Sequence, residues 1–323
     1  MTVAIPSKNQ NATQVINSDY WRVYHSKETL ERADALITTY MISSTGVNLH
    51  IDAYEQPHKN APVIIFNHGG GGYSRLFVPL ALELYDSGYT VVLPDQRGQG
   101  LSEGVRGDFV LPQLVRNIVD ATQWARQKYA GKLFMAGASQ GGALTYYAVA
   151  AGAPVAAMIC HNLYDFGNPK NIMAAARFSA LRNIYGFPSL FELILKMGAT
   201  LLPQLHLNVN LLSRFDKMVD ERAVGFLEKY MKDPYPIRAF NLRYLASTFT
   251  TPPAVPLEEN AMPVLVINQS RDEMVSPKAT LVNYERLGGD KQYVEIDYGH
   301  WAIGGGFEQE WVALADGFFK QFM

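Results

Sequence analysis

The sequence predicts an α/β fold: a mostly parallel central sheet with helices on both faces, interrupted by an inserted helical cap. Three observations predict it. Short apolar runs without polar alternation recur along the chain, as strands covered on both faces require. They alternate with helix-length segments, the text of right-handed βαβ units. The rhythm then stops from residue 161 to residue 262 and resumes afterwards.

In chain order, residues 1–35 read as a polar N-terminal extension, with helical periodicity from Ser26 to Leu36. Leu36 to Glu55 reads as a hairpin, LITTYMISS and VNLHIDAYE about a turn at Thr45-Gly46. The buried strands follow as VIIFNHG (63–69), TVVLPD (90–95), KLFMAG (132–137) and VAAMIC (155–160), separated by helices around 75–87, 111–129 and 141–151. After the interruption come PVLVINQ (263–269), a helix from Pro277 to Leu287, QYVEID (292–297) and a last helix from Glu308. The core is thus expected at 36–160 and 263–323, with the cap at 161–262.

The cap holds SLFELILKMGATLLPQLHLNVNLL (189–212), where Glu192 and Lys196 are the only charges. Such a segment packs its apolar face on the core, lines an apolar substrate pocket, or touches a lipid surface. The run TTPPAVP (250–256) is a proline-rich exit from the cap.

Length and composition narrow the function. A chain of 323 residues buries a sizeable core, and a hydrophobic fraction of 48% excludes a disordered chain. Charged residues make up only 18%, against a usual ~25%, so some surface needs covering. A net charge of −2 removes the electrostatic case for nucleic acid. The single cysteine, Cys160, excludes an internal disulfide framework and any multi-cysteine metal site. The first residues carry neither a basic start nor an apolar stretch, so a cytoplasmic location is expected. The uncharged run Gly141–Cys160 is long enough to suggest a membrane span, but Gly152 and Pro154 break it into a buried helix and a buried strand.

The chemistry concentrates in a few places. Gly137-Ala138-Ser139-Gln140-Gly141 fits G-x-S-x-G between an apolar strand and a helix, the setting of a nucleophile elbow. A serine nucleophile needs a base, and the base an orienting carboxylate. Of seven histidines only His300 stands in a short glycine-rich loop after the last strand. Asp95, Asp165 and Asp272 each follow a strand's carboxyl end, where functional groups gather. Asp272 is favoured because its strand neighbours the one leading to His300, with Asp165 and Glu273 as alternatives. Asn67-His68 followed by Gly69 to Gly72 bares backbone N–H groups as an oxyanion hole needs. The expected donors are Gly70 or Gly69, together with Gln140. A phosphate-cradling loop fits poorly, since no Lys-Ser/Thr follows.

These segments resemble the α/β-hydrolase superfamily, in its serine-hydrolase branch of monoacylglycerol lipases and lysophospholipases. The matching text is NHGGGGYSR, PDQRGQGLSEG (94–104), GASQGG and the loops of Asp272 and His300. The chain order Ser…Asp…His of that superfamily leaves Asp165 and Asp272 as acids. The resemblance implies that PDQRGQGLSEG is mainly structural, a tight turn fixed by Asp95 and Arg97. It implies an α/β-hydrolase fold and a serine hydrolase that needs no metal or cofactor. The expected substrate is a small carboxylic ester with a hydrophobic acyl or alkyl group; thioester, amide, lactone and carbon–carbon hydrolysis use the same residues. A non-catalytic ligand receptor is the alternative from another class, and loss of a triad residue would mark it. The end of the cap also matches, at Asp233-Pro234, while its apolar stretch 189–212 is expected to make weak contact with a lipid surface. Two departures stand out: more glycine in the oxyanion loop, and Ala-Ser-Gln at the elbow in place of His-Ser-Met.

Overall fold

The computed structural model describes residues 3–4, 15–16, 19–173, 176–214 and 217–323; most of the lead-in before Asp19 lies outside them. Among these, eight strands form one sheet: β1 (Ile37–Ser44), β2 (Val47–Tyr54), β3 (Val63–Asn67), β4 (Thr90–Pro94), β5 (Leu133–Ala138), β6 (Met158–His161), β7 (Val264–Gln269) and β8 (Lys291–Ile296). Their spatial order is β8-β7-β6-β5-β3-β4-β2-β1. β1–β2 and β2–β4 are antiparallel, and every other pairing is parallel. This is the α/β-hydrolase fold.

The helices are α1 (Lys27–Leu36), α2 (Val78–Asp86), α3 (Leu111–Lys128), α4 (Gln140–Ala150), α5 (Phe187–Leu201), α6 (Phe226–Lys232), α7 (Leu242–Thr250), α8 (Pro277–Arg286) and α9 (Phe307–Phe319). Ser26 starts α1 by accepting the Thr29 N–H, as the sequence suggests. Leu111, Leu114 and Ile118 of α3 and Leu144 of α4 cover one face of the sheet. Leu80 and Leu84 of α2 and Trp311, Ala315 and Phe319 of α9 cover the other. Burial on both faces is why β3, β4 and β7 are apolar almost throughout.

Two features depart from the sequence reading. The strand read at 155–160 begins only at Met158 and ends on His161, because Ala156 N–H still bonds back to Leu133 O as part of the incoming loop. The segment between β6 and β7 is mainly helical, yet it also contains a short antiparallel pair, His206–Asn208 with Ala239–Asn241. The outer side of α5 is apolar and open: Leu190, Leu193, Ile194, Met197 and Leu201 are each more than half exposed. The stretch Gly141–Cys160 forms a buried helix and a buried strand. No helix among the described residues is long and apolar enough to cross a membrane.

Candidate active site

β5 delivers Ser139 at its carboxyl end, and α4 begins on the next residue. Ser139 holds φ 56°, ψ −125°, a conformation that costs a non-glycine residue energy and here throws the hydroxyl clear of the turn. The small residues predicted around it are required sterically. A Cβ on Gly137 would stand 2.3 Å from Gly141 O, and one on Gly141 2.2 Å from Asn67 O. The Ser139 N–H donates to His161 O at 2.8 Å, pinning the elbow to β6.

Ser139, His300 and Asp272 are brought together from three loops. Ser139 Oγ and His300 Nε2 are 2.9 Å apart, and His300 Nδ1 and Asp272 Oδ2 2.7 Å. Asp272 Oδ1 accepts the N–H groups of Met274 at 2.9 Å and Val275 at 2.7 Å. With the carboxylate accepting a hydrogen bond from Nδ1–H, the imidazole presents an unprotonated Nε2 to the serine hydroxyl. The alternative acids are engaged elsewhere. Asp165 pairs with Arg286 at 2.7 Å. Asp95 accepts the N–H groups of Ser74 and Leu101, at 2.6 and 2.8 Å, inside the PDQRGQG turn. Glu273 reaches outward to Lys217.

The glycine loop follows β3. The Gly69 carbonyl accepts from Gly72 N–H at 3.1 Å and lies 2.8 Å from His68 Nδ1. His68 Nε2 accepts the Gln96 N–H at 3.3 Å, so Nδ1 carries the proton and donates to Gly69. His68 is fully buried, and burial lowers its pKa, which keeps the ring neutral in this role. A trans peptide points its C=O and N–H in opposite directions, so the Gly70 N–H is turned away from these partners. Gly71 N–H is spent on Gln99 Oε1 at 3.0 Å. Gly69 packs against Ser139, where a Cβ would meet Ser139 Cβ at 3.3 Å, and Gly70 packs against the Gln140 side chain. Gln140 opens α4, where the first N–H groups have no helical acceptor, and its side chain donates to the Tyr244 hydroxyl. Gly70, Gly69 and Gln140 therefore line the space above the serine.

Sequence reasoning missed a clasp from the segment between β6 and β7. Met218 O accepts the Trp301 N–H at 2.8 Å, and Trp301 O accepts the Asp220 N–H at 2.9 Å. The buried Asp220 carboxylate accepts the Gly299 N–H and bonds Arg222 Nε at 3.0 Å. The approach is close at Gly299, where a Cβ would lie 3.2 Å from Asp220 Cα and push the two segments slightly apart. Residues 218–222, between β6 and β7, thus grip the residues on both sides of His300. No local pattern reveals a partner 79 positions away.

A pocket of about 90 Å³ opens from Ser139 and His300 between the sheet and α2 and α9. Phe66, Phe77, Trp301, Phe307 and Trp311 give it an aromatic wall, and among the described residues no carboxylate, lysine or arginine lines it. Among the described residues no group of three or more His, Cys, Asp or Glu could hold a metal ion.

A family model described as "Serine aminopeptidase, S33" matches residues 58–300. No curated protein matches the chain. Among solved structures, the monoacylglycerol lipase of Paleococcus ferrophilus superposes with TM-score 0.66 at 18% identity, over 85% of this chain and 99% of that one. A soluble variant of the monoglyceride lipase of Saccharomyces cerevisiae, in complex with a substrate analog, gives 0.67 at 14% identity, over 89% and 96%. Est1E of Butyrivibrio proteoclasticus with bound ferulic acid gives 0.60 at 19% identity, over 88% and 98%. At these identities the likeness is one of fold.

Proposed function

Since the chain belongs to the S33 serine aminopeptidase family of α/β hydrolases, we propose that it is a serine hydrolase cleaving carboxylic esters with a hydrophobic acyl or alkyl group. The observation that carries this reading is the unbroken chain from Ser139 Oγ through His300 to Asp272, at 2.9 and 2.7 Å. In the first step Ser139 Oγ bonds to the ester carbonyl carbon while its proton passes to His300 Nε2. The carbonyl oxygen becomes an oxyanion facing the N–H groups of Gly70 and Gln140, each such donor typically contributing ~3 kcal/mol. The intermediate expels the alcohol, which takes the proton from His300, and leaves an acyl-serine. Water then attacks that ester, giving its proton to His300, and the acid departs as Ser139 recovers its hydrogen. Asp272 holds the imidazole tautomer throughout.

An aminopeptidase reading fits less well. It needs an anionic group for the ammonium of a free peptide N-terminus, and the described residues of the pocket lining supply no carboxylate. The aromatic wall suits a neutral, apolar acyl group instead. The open apolar side of α5 supports the further reading that the cap touches a lipid surface weakly. Cys160 is buried and its thiol is pushed up to about 12 by burial, so it is inert and suited to a reducing cytoplasm.

The test is turnover of p-nitrophenyl esters from acetate to dodecanoate, with amide analogues beside them. Hydrolysis of esters over amides, with an initial burst of nitrophenol and complete loss in Ser139→Ala, is the expected result. Ester turnover that survives in Ser139→Ala would exclude the mechanism.

A further inference from the structure

We propose that His161, backed by Gln269, forms a polar floor to the pocket, which receives a neutral hydrogen-bonding group, such as a hydroxyl, on the acyl portion of the substrate. The proposal deepens the ester-hydrolase reading and rests on it for the word acyl.

The register of the sheet places the pair. His161 stands beside Ala138 on one side and Ile267 on the other. Alternate residues of a strand share a face. Phe66, Ala138, Ile159, His161, Ile267 and Gln269 therefore project to the side covered by α2 and α9, where the pocket lies. That face is apolar along β3, β5, β6 and β7 except at His161 and Gln269.

Both side chains are buried, His161 at 3% exposure and Gln269 at 0%. His161 lines the pocket and Gln269 lies behind it, within hydrogen-bonding reach of the imidazole; beyond that pairing, His161 Nε2 and Gln269 Oε1 and Nε2 have no partner among the described residues. A buried polar atom left without its full complement of partners costs about 1–3 kcal/mol, which leucine or methionine in the same space would avoid. Local rules broken in a core without compensation mark functional positions. His161 lines the pocket together with Ser139 and His300, and its ring rests against Phe307 with centroids 6.1 Å apart. The proton-transfer steps do not use it, because His300 makes both triad hydrogen bonds.

The chemistry of the pair selects its ligand. Burial first, and then the neighbouring His300, lower the His161 pKa to about 4 against the opposing pull of the Gln269 side chain and Asp272, so the ring is neutral near pH 7. Gln269 is never charged. The Gln269 amide can donate to or accept from one ring nitrogen, leaving the other to accept or donate, and a hydroxyl matches either role. A carboxylate or ammonium would be stranded there, since no charged residue among those described lines the pocket. The aromatic wall above the floor fits a flat or compact apolar body between the ester carbon and that hydroxyl.

The experiment compares p-nitrophenyl benzoate, phenylacetate and 3-phenylpropanoate, each with hydrogen, hydroxyl, methyl or carboxylate at the ring's 4-position. For at least one spacer length the hydroxyl ester should exceed the hydrogen and methyl esters about tenfold in kcat/KM, and the carboxylate should be the poorest. His161→Leu and Gln269→Leu should reduce that preference to parity or reverse it, with folding checked by circular dichroism. Binding of 4-hydroxyphenylacetamide against phenylacetamide to Ser139→Ala gives a second reading that needs no turnover, with the same tenfold difference expected. Methyl esters equal to hydroxyl esters at every spacer, or a hydroxyl preference that persists in both leucine variants, would overturn the proposal. Failure of wild type to hydrolyse any ester would overturn the catalytic reading instead, and the binding comparison would still decide the floor.

Discussion

Replacing Asp272 by asparagine separates orientation of the imidazole from every other contact of that side chain. Asp272 Oδ1 accepts two backbone N–H groups, from Met274 and Val275 at 2.9 and 2.7 Å, while Oδ2 faces His300 Nδ1 at 2.7 Å. In Asp272→Asn the amide oxygen must stay with the two N–H donors, since turning it would set NH₂ against N–H. The NH₂ then faces Nδ1 and can only donate to it, which forces the proton of His300 onto Nε2. A protonated Nε2 cannot accept from Ser139, so the base is lost while the fold and pocket are kept. Wrong-tautomer substitution of this kind lowers kcat by about 10,000-fold, or ~5 kcal/mol of transition-state stabilisation. The assay is steady-state hydrolysis of p-nitrophenyl butanoate, with denaturant unfolding to confirm native stability. Asp165→Asn is the control: it disturbs the pair with Arg286 and should leave kcat/KM within threefold, ~0.7 kcal/mol. Retention of more than about a tenth of wild-type activity in Asp272→Asn, or a collapse in Asp165→Asn, would refute the assignment.

Three further expectations follow from other parts of the molecule. Asp220→Ala frees the Gly299 N–H and loosens the loop carrying His300; kcat should fall about 100-fold with KM little changed, and a KM effect alone would show that the cap only shapes the pocket. His50 is buried between Asp52 and Asp95, each at 3.2 Å. Burial lowers its pKa, but the Asp52 charge and hydrogen bonds to both carboxylates outweigh this and hold it at about 9, above its ordinary 6.5. The imidazolium therefore contributes fully below about pH 6.5, by about 3 kcal/mol, and this is lost as pH rises through about 9. Burial opposes ionisation of Asp52, yet His50 and Arg75 hold its pKa below the ordinary value, so its contribution is present above about pH 4 and fades in acid. Unfolding free energy should decline from pH 6.5 to 9 in wild type and flatten in His50→Gln; parallel curves would dismiss the network. On the cap, Leu193→Glu with Met197→Glu should abolish sedimentation with phosphatidylcholine vesicles and spare hydrolysis of dissolved acetate esters, whereas no binding by wild type would remove the lipid contact.

What could be read in the sequence and what could not divide on physical grounds. β3, β4 and β7 were legible because burial on both faces leaves an uninterrupted apolar run. Ser139 was legible because a tight elbow admits only small neighbours, a constraint written within five adjacent residues. His300 and Asp272 could be proposed because parallel strands deliver their following loops to one edge, and β7 does pair with β8. The clasp was hidden: Asp220 and Gly299 meet only through the path of the cap, and no periodicity encodes that path. His161 and Gln269 looked like the ends of ordinary strands until register fixed which face they occupy, because a shift of one residue reverses the face. The antiparallel pair at 206–208 and 239–241 is three residues per strand, too short for alternation to register.

The most direct measurement is mass spectrometry of the intact protein and its tryptic peptides after exposure to a fluorophosphonate. One adduct is expected, on the hydroxyl at position 139, formed rapidly in wild type, slowly in His300→Ala and not in Ser139→Ala. Labelling at a different side chain, or equal rates with and without His300, would contradict the account.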